Sequence, residues 1–301
     1  MSWADSAILA AAILSAVNVI DSHLIASRMP SLWAFLFPVG VIAVFYGVIV
    51  LVTAPWPEGV GSGPVLVAAG SGFIRGLAVF SFLYAMQKVQ VSRIIPVVNI
   101  HPVIVAVLAV PLMNERLLGV EWLAIMITVG GAILISAGRD EQAGPTRLNK
   151  YVALPFIAAL CLAGANLTSK YALEDISSWN MYAIGAVIWG LMAIVFSLRS
   201  GLFNQLRSVE RPRSTFAILT INETLAPVAI VLLFWSIQRG PVSLVSTIAS
   251  TQPVFVFIYA LILGRIASGI LLERRMDVRT VVMRSLAIGM IVGGVTIIHV
   301  V

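Results

Sequence analysis

The sequence predicts an all-α integral membrane protein whose ten transmembrane helices form two inverted five-helix repeats. Three observations lead there: an apolar composition throughout, ten apolar runs of spanning length, and motifs that recur in the same order in both halves. Residues of the AVILMFWYC set make up 60% of the 301 positions and charged residues 11%. A soluble domain carries roughly 25% charged residues, so this chain has too little polar surface to cover a globule in water. Lipid is its solvent.

A spanning helix needs about 20 mostly apolar residues to cross the hydrocarbon. Runs of that kind fall at 6–26, 32–53, 65–86, 91–112, 120–138, 151–171, 179–198, 216–236, 243–263 and 284–301. None shows the short alternating pattern of a membrane barrel strand. Trp3, Trp33, Trp56, Trp122, Trp179 and Trp235 fall near the ends of these runs, where an amphipathic ring prefers the headgroup level. Between spans 7 and 8, Leu202, Phe203, Leu206 and Val209 are interleaved with Arg. That pattern fits either a short surface helix or a solvated loop.

The net charge of +6 comes from basic loops on one face of a membrane protein and does not indicate a nucleic-acid partner. Loops after the odd-numbered spans hold fifteen Lys and Arg residues, counted with Arg284. The opposite face holds only Arg116, Lys170 and Arg239. This bias puts the odd loops in the cytoplasm and both termini outside. No basic segment precedes the first apolar run, so no cleavable signal peptide is expected. Cys161 is the only cysteine, which excludes an intrachain disulfide.

The two halves repeat one another. Tyr84-Ala-Met-Gln-Lys-Val-Gln-Val-Ser92 corresponds to Trp235-Ser-Ile-Gln-Arg-Gly-Pro-Val-Ser243, and His101-Pro102 to Gln252-Pro253. Asn114-Glu115-Arg116 corresponds to Leu272-Glu273-Arg274, Gly130-Gly131 to Gly293-Gly294, and Asn18 to Asn166. The repeats are expected at 1–140 and 141–301. Five spans per unit is an odd number, so the second copy enters the membrane inverted, as in many secondary transporters.

With these motifs the chain resembles the EamA-type members of the drug/metabolite transporter superfamily. The resemblance rests on His101-Pro-Val-Ile-Val-Ala-Val-Leu-Ala-Val-Pro-Leu-Met-Asn-Glu-Arg116 followed by Gly130-Gly131. It implies a central cavity lined mainly by spans 1, 3, 4, 6, 8 and 9, working by alternating access. Many relatives keep both termini in the cytoplasm, whereas the charge distribution here puts them outside.

Ionisable groups inside a span cost about 2.5–3.5 kcal/mol on insertion scales, so they face a cavity or a partner. Arg75 and Glu223 stand near midplane on symmetry-related spans. Two readings apply: a structural ion pair, or a site in which Arg75 holds a carboxylate and Glu223 an ammonium group or a coupling proton. Polar residues at helical spacing mark four further spans, and Asn18, Asn99, Asn166 and Ser250 are the expected substrate contacts. Asp21 and Lys170 hold nearly equivalent places in the inverted repeats, which puts Asp21 near the cytoplasmic end and Lys170 near the outer end, so they are not expected to pair. His101 reads as a core or cavity-wall residue. Pro96, Pro102 and Pro253 remove helix hydrogen bonds and allow kinks.

The expected function is therefore secondary transport, by export or exchange, of a small polar or zwitterionic metabolite such as an amino acid. A flippase or carrier for a lipid-linked or phosphorylated sugar is the alternative, with Arg28, Lys88 and Arg93 as headgroup contacts. An enzyme is disfavoured, since no HExxH, GxSxG or Gly-rich phosphate loop occurs. No cofactor or metal is expected. The partners are the solute and membrane lipid, and the glycines of spans 5 and 10 suit close packing within the chain or a homodimer seam. The orientation is testable: a reporter active only in the cytoplasm, fused after Val301, should stay dark.

Overall fold

The computed structural model describes residues 1–86, 91–136, 153–266 and 278–300. The expected repeat boundary at 140/141 lies outside them, as do Lys88, Glu273 and Arg274. Among the described residues, ten helical segments are long and apolar enough to cross a membrane. They include α1 (Trp3–Ser27), α2 (Leu32–Thr53), α3 (Ser62–Met86), α6 (Gly119–Ser136), α7 (Ala153–Ala172) and α8 (Ser178–Ser197). The last of the unbroken spans are α10 (Pro212–Arg239) and α13 (Val278–Val300). Each falls within a few residues of its predicted run.

The fourth and ninth spans depart from expectation. Each is broken into two helices: α4 (Val91–Val98) with α5 (His101–Met113), and α11 (Val242–Ala249) with α12 (Gln252–Ile266). The breaks fall just before His101-Pro102 and Gln252-Pro253. A proline nitrogen cannot donate to the carbonyl four residues back, so the ladder ends there and each proline opens a new helix. At the α4–α5 break, the imidazole Nδ1 of His101 lies 3.1 Å from the Val98 carbonyl and occupies the place of the missing donor. Paired discontinuous spans in the two halves of a bundle are a feature of transporter folds.

The segment after α8 forms a short helix, α9 (Leu202–Arg207). Leu202 and Val209 are buried, Val209 among Phe35, Leu36 and Leu219. The Arg199 guanidinium stacks 3.8 Å from the Trp33 ring. The segment is thus docked on the end of the bundle.

Glycine contacts reveal a two-fold relation between the halves. A Cβ on Gly40 of α2 would meet the Gly190 carbonyl at 2.7 Å, and a Cβ on Gly190 of α8 would meet the Gly40 carbonyl at 2.6 Å. The neighbours also correspond: Gly40 faces Ile194 and Gly190 faces Val44, with Gly190 and Ile194 each 150 residues after Gly40 and Val44. The same reciprocity joins α6 and α13. Gly131 approaches Ile291 and the Ala287 carbonyl, while Gly294 approaches Thr128 and the Ala124 carbonyl, an offset of 163. These two helix pairs therefore lie on the pseudo-two-fold axis. Elsewhere contacts come in mates: α3 packs on α7 as α10 packs on α1, and α5 on α7 as α12 on α1.

Both chain ends gather at one face, where His299 Nδ1 lies 4.0 Å from Asp5. We call this the terminal face and the opposite one the basic face. At the terminal face α5 packs against α11. Among the described residues their mates, α12 and α4, form no comparable pair at the basic face. Among the described residues, the inner half-helices meet at the terminal face and not at the basic face.

Gly190→Val should be severely destabilising, because the added carbons meet backbone that cannot move aside; overpacking of this kind costs about 1–3 kcal/mol or more. Gly185→Ala, with open space where the added Cβ would go, should melt within a degree or two of the parent in detergent. Equal melting of both variants would remove the axis contact from the account.

Candidate functional site

Arg75 sits halfway along α3, at a depth where an unpaired charge is costly. Its Nη2 donates to Asn166 Oδ1 of α7 at 3.0 Å, and its guanidinium lies 5.5 Å from the Phe234 ring of α10. Its Nε is buried and makes no hydrogen bond. Asn166 donates in turn to Ser246 Oγ of α11 at 3.0 Å. The guanidinium thus begins a polar chain running from α3 through α7 to α11. No carboxylate comes within 4.0 Å of it among the described residues.

Glu223 therefore does not pair with Arg75. Its surroundings are a separate acidic region between α1, α8 and α10. Asn222 Nδ2 donates to Asp21 Oδ1 at 2.7 Å, the charge of Asp21 reaches Glu223, and Tyr182 of α8 lies within range of the same carboxylate. Beside it, the Tyr46 hydroxyl of α2 is 2.7 Å from Thr224 Oγ1. Neither Asp21 nor Glu223 has a cation within 4.0 Å among the described residues. The Oδ1 of Asn222 is buried without a partner.

The two regions are related by the repeat, and this exposes how they differ. Ser71 of α3 bonds Ser169 of α7, Oγ to Oγ, at 2.8 Å. Shifted by 151 and back by 148, these two positions become Asn222 and Asp21, which also bond each other. The next residue along is Gly72 in one half and Glu223 in the other. Gly72 is packed so closely that a Cβ would lie 2.9 Å from the Gly185 α-carbon. The helix pair therefore assembles with serine and glycine in the first half and with two carboxylates and an amide in the second. Arg75 corresponds to Ala226. One half carries the positive charge and the other the negative.

The remaining sequence candidates divide. Asn18 is exposed and donates to Gln252 Oε1 at 2.9 Å, at the start of α12. Ser250 is buried and donates to the Thr247 carbonyl of its own helix. Asn99 turns to α6, donating to Ser136 Oγ at 3.2 Å. Lys170 bonds backbone carbonyls at the terminal face and Asp21 bonds Asn222, so these two stay apart as expected. Of the headgroup contacts, Arg28 ends α1 with a buried, unpartnered Nη1; the side chains of Lys88 and Arg93 lie outside the described residues. Asn222, Ser246 and Gln252, which bond Asp21, Asn166 and Asn18, are further candidates that sequence reasoning missed. Asn222 had one available signal, its place beside Glu223 opposite Ser71 in the repeat.

Comparison with known proteins agrees with this architecture. The model of the EamA-like transporter family matches residues 2–137 and again residues 149–299. A solved crystal structure superposes with a TM-score of 0.68 at 17% identity, covering 98% of this chain and 94% of the other; at that identity it speaks for the fold alone. No curated protein matches the chain significantly.

If the Asp21–Asn222 pair is not there for packing, the double change Asp21→Ser with Asn222→Ser, which copies the Ser71–Ser169 contact, should leave membrane insertion and melting close to wild type, within about 1 kcal/mol. A protein that no longer inserts would show that the Asp21–Asn222 bond holds the bundle together.

Proposed function

We propose, on the premise that this chain belongs to the EamA-like transporter family, that it carries a small zwitterionic metabolite such as an amino acid across the membrane, exporting or exchanging it by alternating access. The observation that supports this reading is the separation of uncompensated charge. Arg75 has an amide and a ring for neighbours, while Asp21 and Glu223, on the mate helices, have no cation within 4.0 Å among the described residues. Charges buried away from water demand counterions, and a solute with a carboxylate at one end and an ammonium at the other supplies both.

In this reading Arg75 takes the carboxylate, giving up Asn166 as it does so. Glu223 takes the ammonium group with Asp21 beside it, and carries a proton when the solute is absent. Two carboxylates near one another in a low-dielectric site do not both remain ionised without a cation. Asn18, Asn166 and Ser246 add uncharged hydrogen bonds around the solute.

Proteoliposomes loaded with a panel of zwitterionic, cationic and uncharged solutes of similar size test the assignment. Arg75→Met and Glu223→Gln should each lower uptake of a zwitterion by about 10- to 100-fold, since a hydrogen bond to a charged group is worth about 1.5–3 kcal/mol. The double variant should not recover. Glu223→Gln should also lose stimulation by a proton gradient, so that the uptake that remains no longer responds to it. Wild-type rates in either inserted single variant would rule out that residue's role.

A further inference from the structure

Two oppositely charged side chains grip one turn at the terminal face. The turn Arg239-Gly240-Pro241 joins α10 to α11. On one side the Lys170 ammonium of α7 donates to the carbonyls of Ile237 at 2.8 Å and Gly240 at 2.9 Å, with Gln238 at 3.3 Å. On the other, the Glu115 carboxylate accepts from the backbone nitrogens of Val242 and Ser243 and from the Ser243 hydroxyl. A cation thus caps the end of α10 and an anion the start of α11, each matching the sign of the helix dipole. Glu115 follows Asn114, whose left-handed backbone (φ 52°) ends α5. The grip therefore ties α5 and α7 to the α10–α11 turn, over a cavity of about 320 Å³ that both charged groups line.

Two further facts make this more than a structural clasp. First, it spans the α5–α11 contact, which has no comparable mate between α4 and α12 among the described residues, so it belongs to one state of the bundle. Second, it shares helices with the Arg75 region. Lys170 stands one turn from Asn166 on α7, and Ser243 one turn from Ser246 on α11. The Asn166–Ser246 bond is 3.0 Å. Movement of α11 at the site is movement at the turn.

We infer that Glu115 and Lys170 form a latch that keeps the terminal face shut, and that its release is the step that opens that face. The latch rests on the fold and on the family's transport role, and is independent of which solute the site takes. A ligand-free population shift follows: weakening the bonds present in only one of two states moves the equilibrium toward the other.

The test needs no solute. In a Cys161→Ser background in lipid nanodiscs, with both faces reachable, Val245→Cys places a thiol on α11 at a position fully buried in the closed end. Adding Glu115→Gln or Lys170→Met should speed its modification by a charged thiol reagent at least tenfold. Glu115→Asp, which keeps the charge, should stay nearer the parent. A second reporter, Leu219→Cys, is fully buried on the basic half of α10 and should not gain reactivity. Rates at Val245→Cys within twofold of the parent in both latch variants would overturn the proposal, as would an equal rise at Leu219→Cys, which means general loosening. Should Glu115→Gln fail to accumulate, Lys170→Met alone decides, because it frees the other side of the same turn.

Discussion

The close approach of Gly40 and Gly190 on the pseudo-two-fold axis governs much of this bundle. Without a hydrophobic force between helices in lipid, association depends on backbones coming near enough for dispersion to act along their length. Two glycines that face each other's carbonyls set α2 and α8 at that distance, and Gly131 with Gly294 does the same for α6 and α13. With those pairs fixed, the remaining helices fall into mated contacts around them. Only then do α3 and α10 bring Arg75 and Glu223 to similar depths with opposite surroundings.

The symmetry of the scaffold also makes its asymmetry informative. A duplicated unit needs the same packing in both copies, so a chemical difference at mated positions is not dictated by packing. Ser71 and Ser169 show that the α3–α7 contact needs only hydroxyls. Asp21 and Asn222 make the mated contact with a charge. The guanidinium of Arg75 replaces what is an alanine in the other half. Together these differences give the middle of the protein a positive side and a negative side, in a frame that by itself has no polarity.

Much of the fold was legible in the sequence because lipid imposes a simple rule. Every spanning run had to be apolar and long, and the motif offsets anticipated which helices are mates. The breaks in spans 4 and 9 were only half visible: Pro102 and Pro253 announced an interruption, but a missing hydrogen bond is compatible with a kink or with two separate helices. The site was less legible. Midplane depth singled out Arg75 and Glu223, yet depth along an axis carries no information about rotation around it, and rotation sends Arg75 to Asn166 and Glu223 toward Asp21. Asn99 illustrates the same limit, since its spacing suited an inward stripe while its amide turns to α6.

The axis contacts carry a mechanical consequence. If the two halves exchange conformations, each contact becomes that of its mate: α5 with α11 becomes α12 with α4, so one end unzips as the other closes. The pairs α2–α8 and α6–α13 are their own mates, and the exchange returns them unchanged. They can act as a fixed fulcrum while the rest of the bundle rocks about them. Their glycines, closely packed and without a polar group to release, suit a bearing that is never required to come apart.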